Sequence, residues 1–143
     1  MRHTADFVGR FKRQPMAANI PTQYNRLMPY LIVKDAGEFK RFMETVFGAG
    51  EQLLVPGERG GIMHGELRIG GDTVIMFAEA SDQFPVMNAG MYIHVDDADA
   101  TYEKALQAGA ITVPGQEPSD KEYGRTCGVT DPFGNTWWIT SVS

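Results

Sequence analysis

Three polar residues capable of acid–base and charge chemistry alternate along one short stretch of the sequence. His64, Glu66 and Arg68 lie two apart in MHGELRIG, and residues two apart point to the same face of a β-strand. On one face, His64 could be a general base oriented by Glu66, with Arg68 clamping an anionic group. The alternative is a structural hydrogen-bond and ion-pair network, because a buried charge must be paired. The sequence leaves both interpretations open.

A second set of residues, aromatic and thioether side chains, could bind a ligand through van der Waals contact. The set comprises Tyr30, Tyr92, Trp138, Met28 and Met76. Aromatic rings and thioethers facing an open pocket can stack on a flat or cationic ligand, whereas in a closed core they would only fill space. Trp137 and Trp138 are neighbours, so in a strand one enters the core and the other faces away from it. Strand parity assigns Trp138 to the pocket.

An internal repeat determines how these residues are positioned. YLIVKDA begins at Tyr30 and YIHVDDA begins 62 residues later at Tyr92, and the same offset relates Met76 to Trp138. A stretch with helical spacing follows each copy, and short alternating strands separated by Gly-rich turns follow each helix. Each half is therefore predicted to be a βαβββ module. Asp35 and Asp97 fall where the helices begin, so N-capping is their expected role.

The sequence therefore predicts an α+β fold, with two βαβββ modules forming a curled mixed β-sheet around a cavity and helices outside. We expect an N-terminal extension at 1–19 and a domain at 20–143. Within the domain, module one covers about 27–80, a linker about 81–89 and module two about 90–143.

Strand parity also separates a helix-facing set from a cavity-facing set. The residues expected to face the helices are Leu31, Val33, Leu67, Ile69, Ile75, Phe77, Trp137 and Ile139. The residues expected to face the cavity are Met28, Tyr30, Ile32, His64, Glu66, Arg68, Val74, Met76, Gly90, Tyr92, His94, Thr136, Trp138 and Thr140. His94 could join His64 and Glu66 in a metal site displaced from the usual place, or it could be a hydrogen-bonded wall residue.

Two further residues have simpler expected roles. Cys127 alternates with Val129 on the apolar side of its strand, so we expect an inert buried thiol and not a nucleophile. Tyr123 lies in a polar, Gly- and Pro-containing loop, where it is either a lid over the pocket or a surface residue.

Composition narrows the class of protein. The chain has 143 residues, 43 % of them apolar, with a net charge of −5 and one cysteine. The acidic balance argues against nucleic-acid or anionic membrane partners, which need a basic patch. A single cysteine excludes a disulfide within the chain and favours a reducing, cytoplasmic location. No apolar run approaches the roughly 20 residues of a membrane span.

Several stretches resemble the vicinal oxygen chelate superfamily, which includes glyoxalase I, extradiol dioxygenases and the fosfomycin- and bleomycin-resistance proteins. MPYLIVKDA, MHGELRIGGDTVIMFAEA and YGRTCGVTDPFGNTWWI are most similar to its PhnB-like branch. The resemblance implies a homodimer, in some relatives with cavities shared between subunits. It also implies that metal ligands, where relatives have them, would fall at Met28, Met76, Gly90 and Trp138. None of these is a hard-metal ligand.

The expected function is a metal-independent small-molecule-binding protein with an aromatic cavity. The binding residues are Tyr30, His64, Glu66, Arg68, Met76, Tyr92, His94 and Trp138. One alternative is a lyase- or isomerase-like enzyme with His64 or Glu66 as the base, possibly with a divalent metal at the displaced site. The other is a dimeric protein with a filled cavity that acts through its surface.

Overall fold

The computed structural model describes residues 19–143, so the predicted extension lies almost entirely outside the described residues. Module one has strand β1 at Tyr30–Val33, helix α1 at Ala36–Phe47, and strands β2 at Gly50–Pro56, β3 at Ile62–Ile69 and β4 at Thr73–Glu79. A 3₁₀ turn at Glu58–Gly60 joins β2 to β3.

Module two repeats this order with one addition. Strand β5 covers Gly90–His94, helix α2 Ala98–Gln107, β6 Ile111–Thr112, β8 Gly124–Thr130 and β9 Thr136–Ser141. A short strand, β7 at Ser119–Lys121, pairs with β8 inside the segment expected to be a loop. Strand β6 has only two residues because Pro114 has no amide hydrogen with which to continue the ladder.

The two sheets share one register, which confirms the 62-residue repeat. In module one β1 runs parallel to β4 with Tyr30 opposite Met76. In module two β5 runs parallel to β9 with Tyr92 opposite Trp138. The strand orders, β1-β4-β3-β2 and β5-β9-β8-β6, are likewise equivalent. Residues related by the repeat therefore occupy equivalent places in the two modules.

Both helices begin as the sequence predicts. The side chain of Asp35 accepts a hydrogen bond from the amide of Glu38, and that of Asp97 from the amide of Ala100. Helix α1 ends at Gly48, whose left-handed backbone (φ 66°) is the conformation in which glycine costs least. Among the described residues no helix is long and apolar enough to cross a membrane.

The helices and the helix-facing sides of both sheets form one core. The predicted residues Leu31, Val33, Leu67, Phe77 and Ile139 are all buried in it, as are Ile75 and Trp137, while Ile69 is only partly buried. These assignments by strand parity are confirmed.

The core also joins the two modules. The ring of Phe47 on α1 lies 4.6 Å from that of Trp137 on β9, and Phe133 packs edge-on against Phe39 at 5.6 Å. The helices α1 and α2 are in contact with each other. The apolar surface of α1 therefore extends beyond its own sheet and is buried against module two.

This packing confirms the α+β class and the two βαβββ modules but corrects one feature of the expected arrangement. The described strands form two separate sheets of four and five strands, not one curled sheet. Because the helices lie in a core common to both sheets, the sheet faces opposite the helices point outward. We call these the open faces of module one and module two. A pocket of about 660 Å³ in the described part of the chain is lined by both modules, but its walls include the helix-facing Ile75 and Trp137, so it is not a cavity enclosed by the two open faces.

Candidate ligand-binding site

A chain of hydrogen bonds crosses the open face of module one. Glu66 Oε2 lies 2.9 Å from His64 Nε2, and His64 Nδ1 lies 2.9 Å from the hydroxyl of Tyr30. An ionised carboxylate can only accept, so Nε2 carries a proton. In the neutral ring Nδ1 then accepts from Tyr30. Glu66 is buried, His64 is half-buried and Tyr30 is 48 % exposed, so Tyr30 is the most exposed of the three.

Glu66 is held by three neighbours. Besides His64, the Tyr24 hydroxyl donates to Oε2 at 2.9 Å and the Gln52 side-chain amide donates to Oε1 at 3.1 Å. Burial by itself would raise the pKa of Glu66, but these hydrogen bonds outweigh burial and leave the pKa below its usual value. The same contact with Glu66 raises the pKa of Tyr24. Glu66 is therefore a fixed carboxylate.

The guanidinium of Arg68 is hydrogen-bonded to neighbouring groups of the same chain. It donates to Gln52 Oε1 at 3.2 Å and to the carbonyl oxygens of Gly71 at 2.9 Å and Gln23 at 3.0 Å. None of its described partners is a carboxylate. Of the two interpretations of the His64, Glu66 and Arg68 cluster, this geometry matches the structural network.

The polar end of this face is covered by the segment 19–29, which precedes β1. Tyr24 and Gln23 from this segment contact Glu66 and Arg68, and Asn25 Oδ1 accepts from the amide of Val74 at 3.1 Å. Val74, expected on the cavity side, is buried there. Strand parity could not predict this cover, because the contacts join residues more than 40 positions apart.

A groove of about 1150 Å³ opens at the other end of the same face. Its apolar walls are Tyr30, Ile32, Ile62, Met63, Ala78, Phe84 and Met87. The linker wall is fixed by backbone bonds: the amide of Met87 donates to the carbonyl of Ile32 at 3.0 Å, and that of Ser81 to Phe84 at 2.8 Å. The sequence predicted Tyr30 and Ile32 here, and missed Phe84 and Met87 because a linker has no periodic pattern to assign its faces.

The open face of module two carries the remaining predicted residues. Tyr92 and Trp138 are 53 % and 40 % exposed, and His94 is exposed. The Tyr92 hydroxyl accepts from Thr140 at 2.8 Å, and its ring lies 5.3 Å from that of His94. Trp138 therefore lies on an outward face. Trp137 is buried, and its indole N–H donates a hydrogen bond to Asp131 Oδ2 at 2.9 Å.

The residues at the superfamily's metal positions do not fit a metal centre. Met28 and Met76 offer soft thioethers, and the indole of Trp138 lies over Gly90, where an added Cβ would be 3.1 Å from the ring. The displaced site expected from His64, Glu66 and His94 does not form within one chain either, because in residues 19–143 no three His, Cys, Asp or Glu side chains converge. His94 belongs to the other module.

Two other predicted residues lie apart from the groove. Cys127 is buried on the helix-facing side, and burial raises the pKa of its thiol to about 11, as expected of an inert cysteine. Tyr123 is exposed in the β7–β8 turn and is not among the residues that line the groove.

The sequence of the chain is similar to those of known proteins. The sequence profile of the Glyoxalase/Bleomycin resistance protein/Dioxygenase superfamily matches residues 23–139. An uncharacterized protein of Mycobacterium tuberculosis (strain ATCC 25618 / H37Rv), Rv0887c, is 34 % identical over 148 residues, covering 91 % of this chain and 82 % of its own length.

Solved structures share the fold. TnmS3, an antibiotic binding protein from Streptomyces sp. CB03234, superposes with a TM-score of 0.65 at 21 % identity, over 90 % of this chain and all of its own. A PhnB protein from Bacillus cereus superposes with a TM-score of 0.65 at 16 % identity, over 82 % of this chain and all of its own. The expected superfamily and fold are confirmed.

Proposed function

We propose that this chain, which belongs to the Glyoxalase/Bleomycin resistance protein/Dioxygenase superfamily, is a metal-independent protein that binds a small molecule in an apolar, partly aromatic groove. The observation that carries the proposal is the groove of about 1150 Å³ on the open face of module one. Concave, mostly apolar sites of this order of size hold drug-sized ligands. The antibiotic-binding role of TnmS3, which has the same fold, supports the proposal.

Two arguments support binding without a metal. The side chains at Met28, Met76, Gly90 and Trp138 lack hard-metal donors. His64 and Glu66, the acid–base pair on the same face, do not line the groove and are already engaged in hydrogen bonds with one another and with Tyr24, Tyr30 and Gln52. Contact with the apolar walls is therefore the main source of affinity, and the polar network holds Tyr30 in place.

The test is a thermal-shift screen of flat aromatic compounds, followed by affinity measurements on variants. Tyr30→Ala should weaken the best compound by about tenfold, because a stacking wall is lost. Tyr123→Ala is the matched control, since it removes a tyrosine outside the groove that is at least as exposed as Tyr30. Dialysis against a chelator should leave the affinity unchanged. Equal affinity in wild type and Tyr30→Ala, or loss of binding on chelation, would contradict the proposal.

We also propose that the chain forms a homodimer through its open faces. Tyr30 on module one, and the paired Tyr92 and Trp138 on module two, are each about half exposed in the single chain, and exposed aromatic side chains next to other apolar residues are typical of interaction surfaces. Because the two open faces of one chain point outward, a second copy is needed to bring a module-one face and a module-two face together.

A second candidate function is acid–base catalysis of the lyase or isomerase kind. The observation that favours it is the hydrogen-bonded chain from Glu66 through His64 to Tyr30. In this geometry the exposed Tyr30 hydroxyl would meet a substrate, with His64 as the base behind it. The candidate predicts hydrogen–deuterium exchange at an acidic carbon of a bound carbonyl compound, and Tyr30→Phe should abolish that exchange while binding persists.

We place the protein in a reducing compartment such as the cytoplasm. The support is chemical: the only cysteine of the chain is Cys127, and its thiol is buried with a raised pKa. The chain thus offers no structural disulfide of the kind used by secreted proteins.

A further inference from the structure

The charged side chains that line the groove on the open face of module one are all negative. Its lining residues include two carboxylates, Glu58 and Glu79, and among the described residues that line it there is no Lys, Arg or His. Arg59 lies in the same turn as Glu58 and is exposed, but it is not among the lining residues. An otherwise apolar groove with two acidic groups attracts positive charge.

Glu79 is the better positioned of the two carboxylates. It is partly buried at the end of β4, and its Oε1 accepts a hydrogen bond from the amide of Ala36 at the start of α1, at 3.2 Å. Its Oε2 has no hydrogen-bond partner among the described residues. The contact with Ala36 fixes the carboxylate, so that one oxygen is free to meet a ligand at little cost in side-chain entropy.

Tyr30 adds a third acceptor. With neutral His64, the proton of the Tyr30 hydroxyl is directed to His64 Nδ1, so the lone pairs of the phenol oxygen remain for another donor. The face of the Tyr30 ring also attracts a cation. The ionisable residues that line the groove, Tyr30, Glu58 and Glu79, thus all accept hydrogen bonds or favour positive charge.

We propose that the groove binds a cationic amphiphile: a flat apolar body that packs against Tyr30, Met63 and Phe84, with a protonated amine directed to Glu79 and Glu58. This assignment rests on the proposed function, because it names the class of ligand for the same groove. It adds a prediction of charge selectivity that the apolar walls alone would not give.

The test compares three ligands of one shape and different charge. At pH 7.5, 9-aminoacridine is a cation, acridine is neutral and acridine-9-carboxylate is an anion. Calorimetric titration of the purified full chain should give the tightest binding for the cation and the weakest for the anion. Raising the ionic strength should narrow the difference, because salt screens partly exposed charges.

Variants that remove one carboxylate each test whether Glu79 and Glu58 cause the preference for the cation. Glu79→Gln and Glu58→Gln should each weaken 9-aminoacridine by about twofold to fivefold and leave acridine unchanged. Glu103→Gln, on the exposed face of α2, removes the same charge outside the groove and should change nothing. Circular dichroism spectra and melting temperatures of the variants confirm that each is folded.

The outcomes separate this inference from the proposed function. If the cation and the neutral compound bind equally and Tyr30→Ala weakens both, the groove binds ligands but the cationic class is wrong. If the anion binds best, the cationic class is likewise wrong. If none of the three binds, or if Tyr30→Ala changes none of the affinities, both the cationic class and groove binding of flat aromatic ligands are overturned.

Discussion

At the scale of single residues, Glu66 is the most completely bonded group on the open face of module one. It is 2 % exposed and accepts hydrogen bonds from His64, Gln52 and Tyr24. A carboxylate whose pKa is lower in the folded than in the unfolded chain stabilises the fold above its unfolded pKa, and that stabilisation is lost as the pH falls through the folded value. The pKa of Glu66 is lowered in this way.

We therefore expect Glu66→Gln to destabilise the protein most at neutral pH. The loss should be about 1–3 kcal/mol, because a charged acceptor is removed from three part-buried neighbours, Tyr24, Gln52 and His64. The difference from wild type should shrink as the pH falls from about 4.3, the ordinary value for glutamate, through the lower folded value. Urea unfolding of both proteins at pH 7, 5, 4 and 3 measures this difference in the free energy of unfolding.

Glu103→Gln is the matched control, since its carboxylate is exposed on α2. Its stability should follow that of wild type at every pH. A Glu66→Gln difference that stays constant between pH 7 and 3 would show that charge is not the source of the stabilisation.

Much of this residue-scale picture could be predicted from the sequence. Alternation placed Trp137 inside and Trp138 outside, and it placed His64, Glu66 and Arg68 on one face. It could not show that Gln52 and Tyr24 complete the Glu66 site, because those contacts depend on chain segments 14 and 42 residues away. Local periodicity contains no information about such distant pairs.

At the scale of the elements, Gly65 allows β3 to lie against the core. It is paired with Phe77 of β4, whose ring covers it so closely that an added Cβ would lie 2.4 Å from ring atoms. Phe77 is fully buried and has no room to move. We expect Gly65→Ala to lower the free energy of unfolding by about 1–3 kcal/mol through overpacking.

Gly50→Ala in the neighbouring strand β2 provides the comparison. No atom lies within 4 Å of a Cβ added there, so the variant should unfold within about 0.5 kcal/mol of wild type. Equal denaturation midpoints for the two variants would contradict the close packing of β3 on β4.

The elements themselves were the part best predicted from sequence. The repeat gave both βαβββ modules and their shared register, and helical spacing with Asp35 and Asp97 gave the helix starts. Strand β7 was missed, because the three-residue segment Ser119–Lys121 is polar and pairs only at the edge of β8. A strand this short has no alternation to recognise.

At the scale of the whole molecule, the proposed homodimer is expected to form through the open faces. We expect the wild-type protein to have twice the 15.8 kDa mass of one chain in light scattering at high micromolar concentration. Trp138→Glu places a charge in the exposed aromatic face of module two and should give the monomer mass, because burying an unpaired charge opposes association.

Ile111→Glu is the control for this experiment. Ile111 is at least as exposed as Trp138 but lies on β6 at the far edge of the second sheet, so its variant should keep the wild-type mass. A monomeric wild type, or a dimer that Trp138→Glu leaves intact, would contradict assembly through the open faces.

The packing of the two modules against each other could not be predicted from the sequence. Parity tells which side of a strand a residue occupies, but not which two surfaces meet. The decisive contacts, Phe47 with Trp137 and Phe39 with Phe133, join helix α1 to module two. They bury the apolar helix surfaces in one core and leave Tyr30 and Trp138 exposed on the open faces of the two modules.

The most direct measurement of the central claim is methyl NMR of the methionines during titration with 9-aminoacridine. Met63 and Met87 line the groove, whereas Met43 is buried in the core. Ring currents from a bound aromatic should shift the Met63 and Met87 methyls and leave Met43 in place, and Tyr30→Ala should weaken the response. Shifts that leave the Met63 and Met87 methyls in place, or no shift at saturating ligand, would contradict binding in the groove.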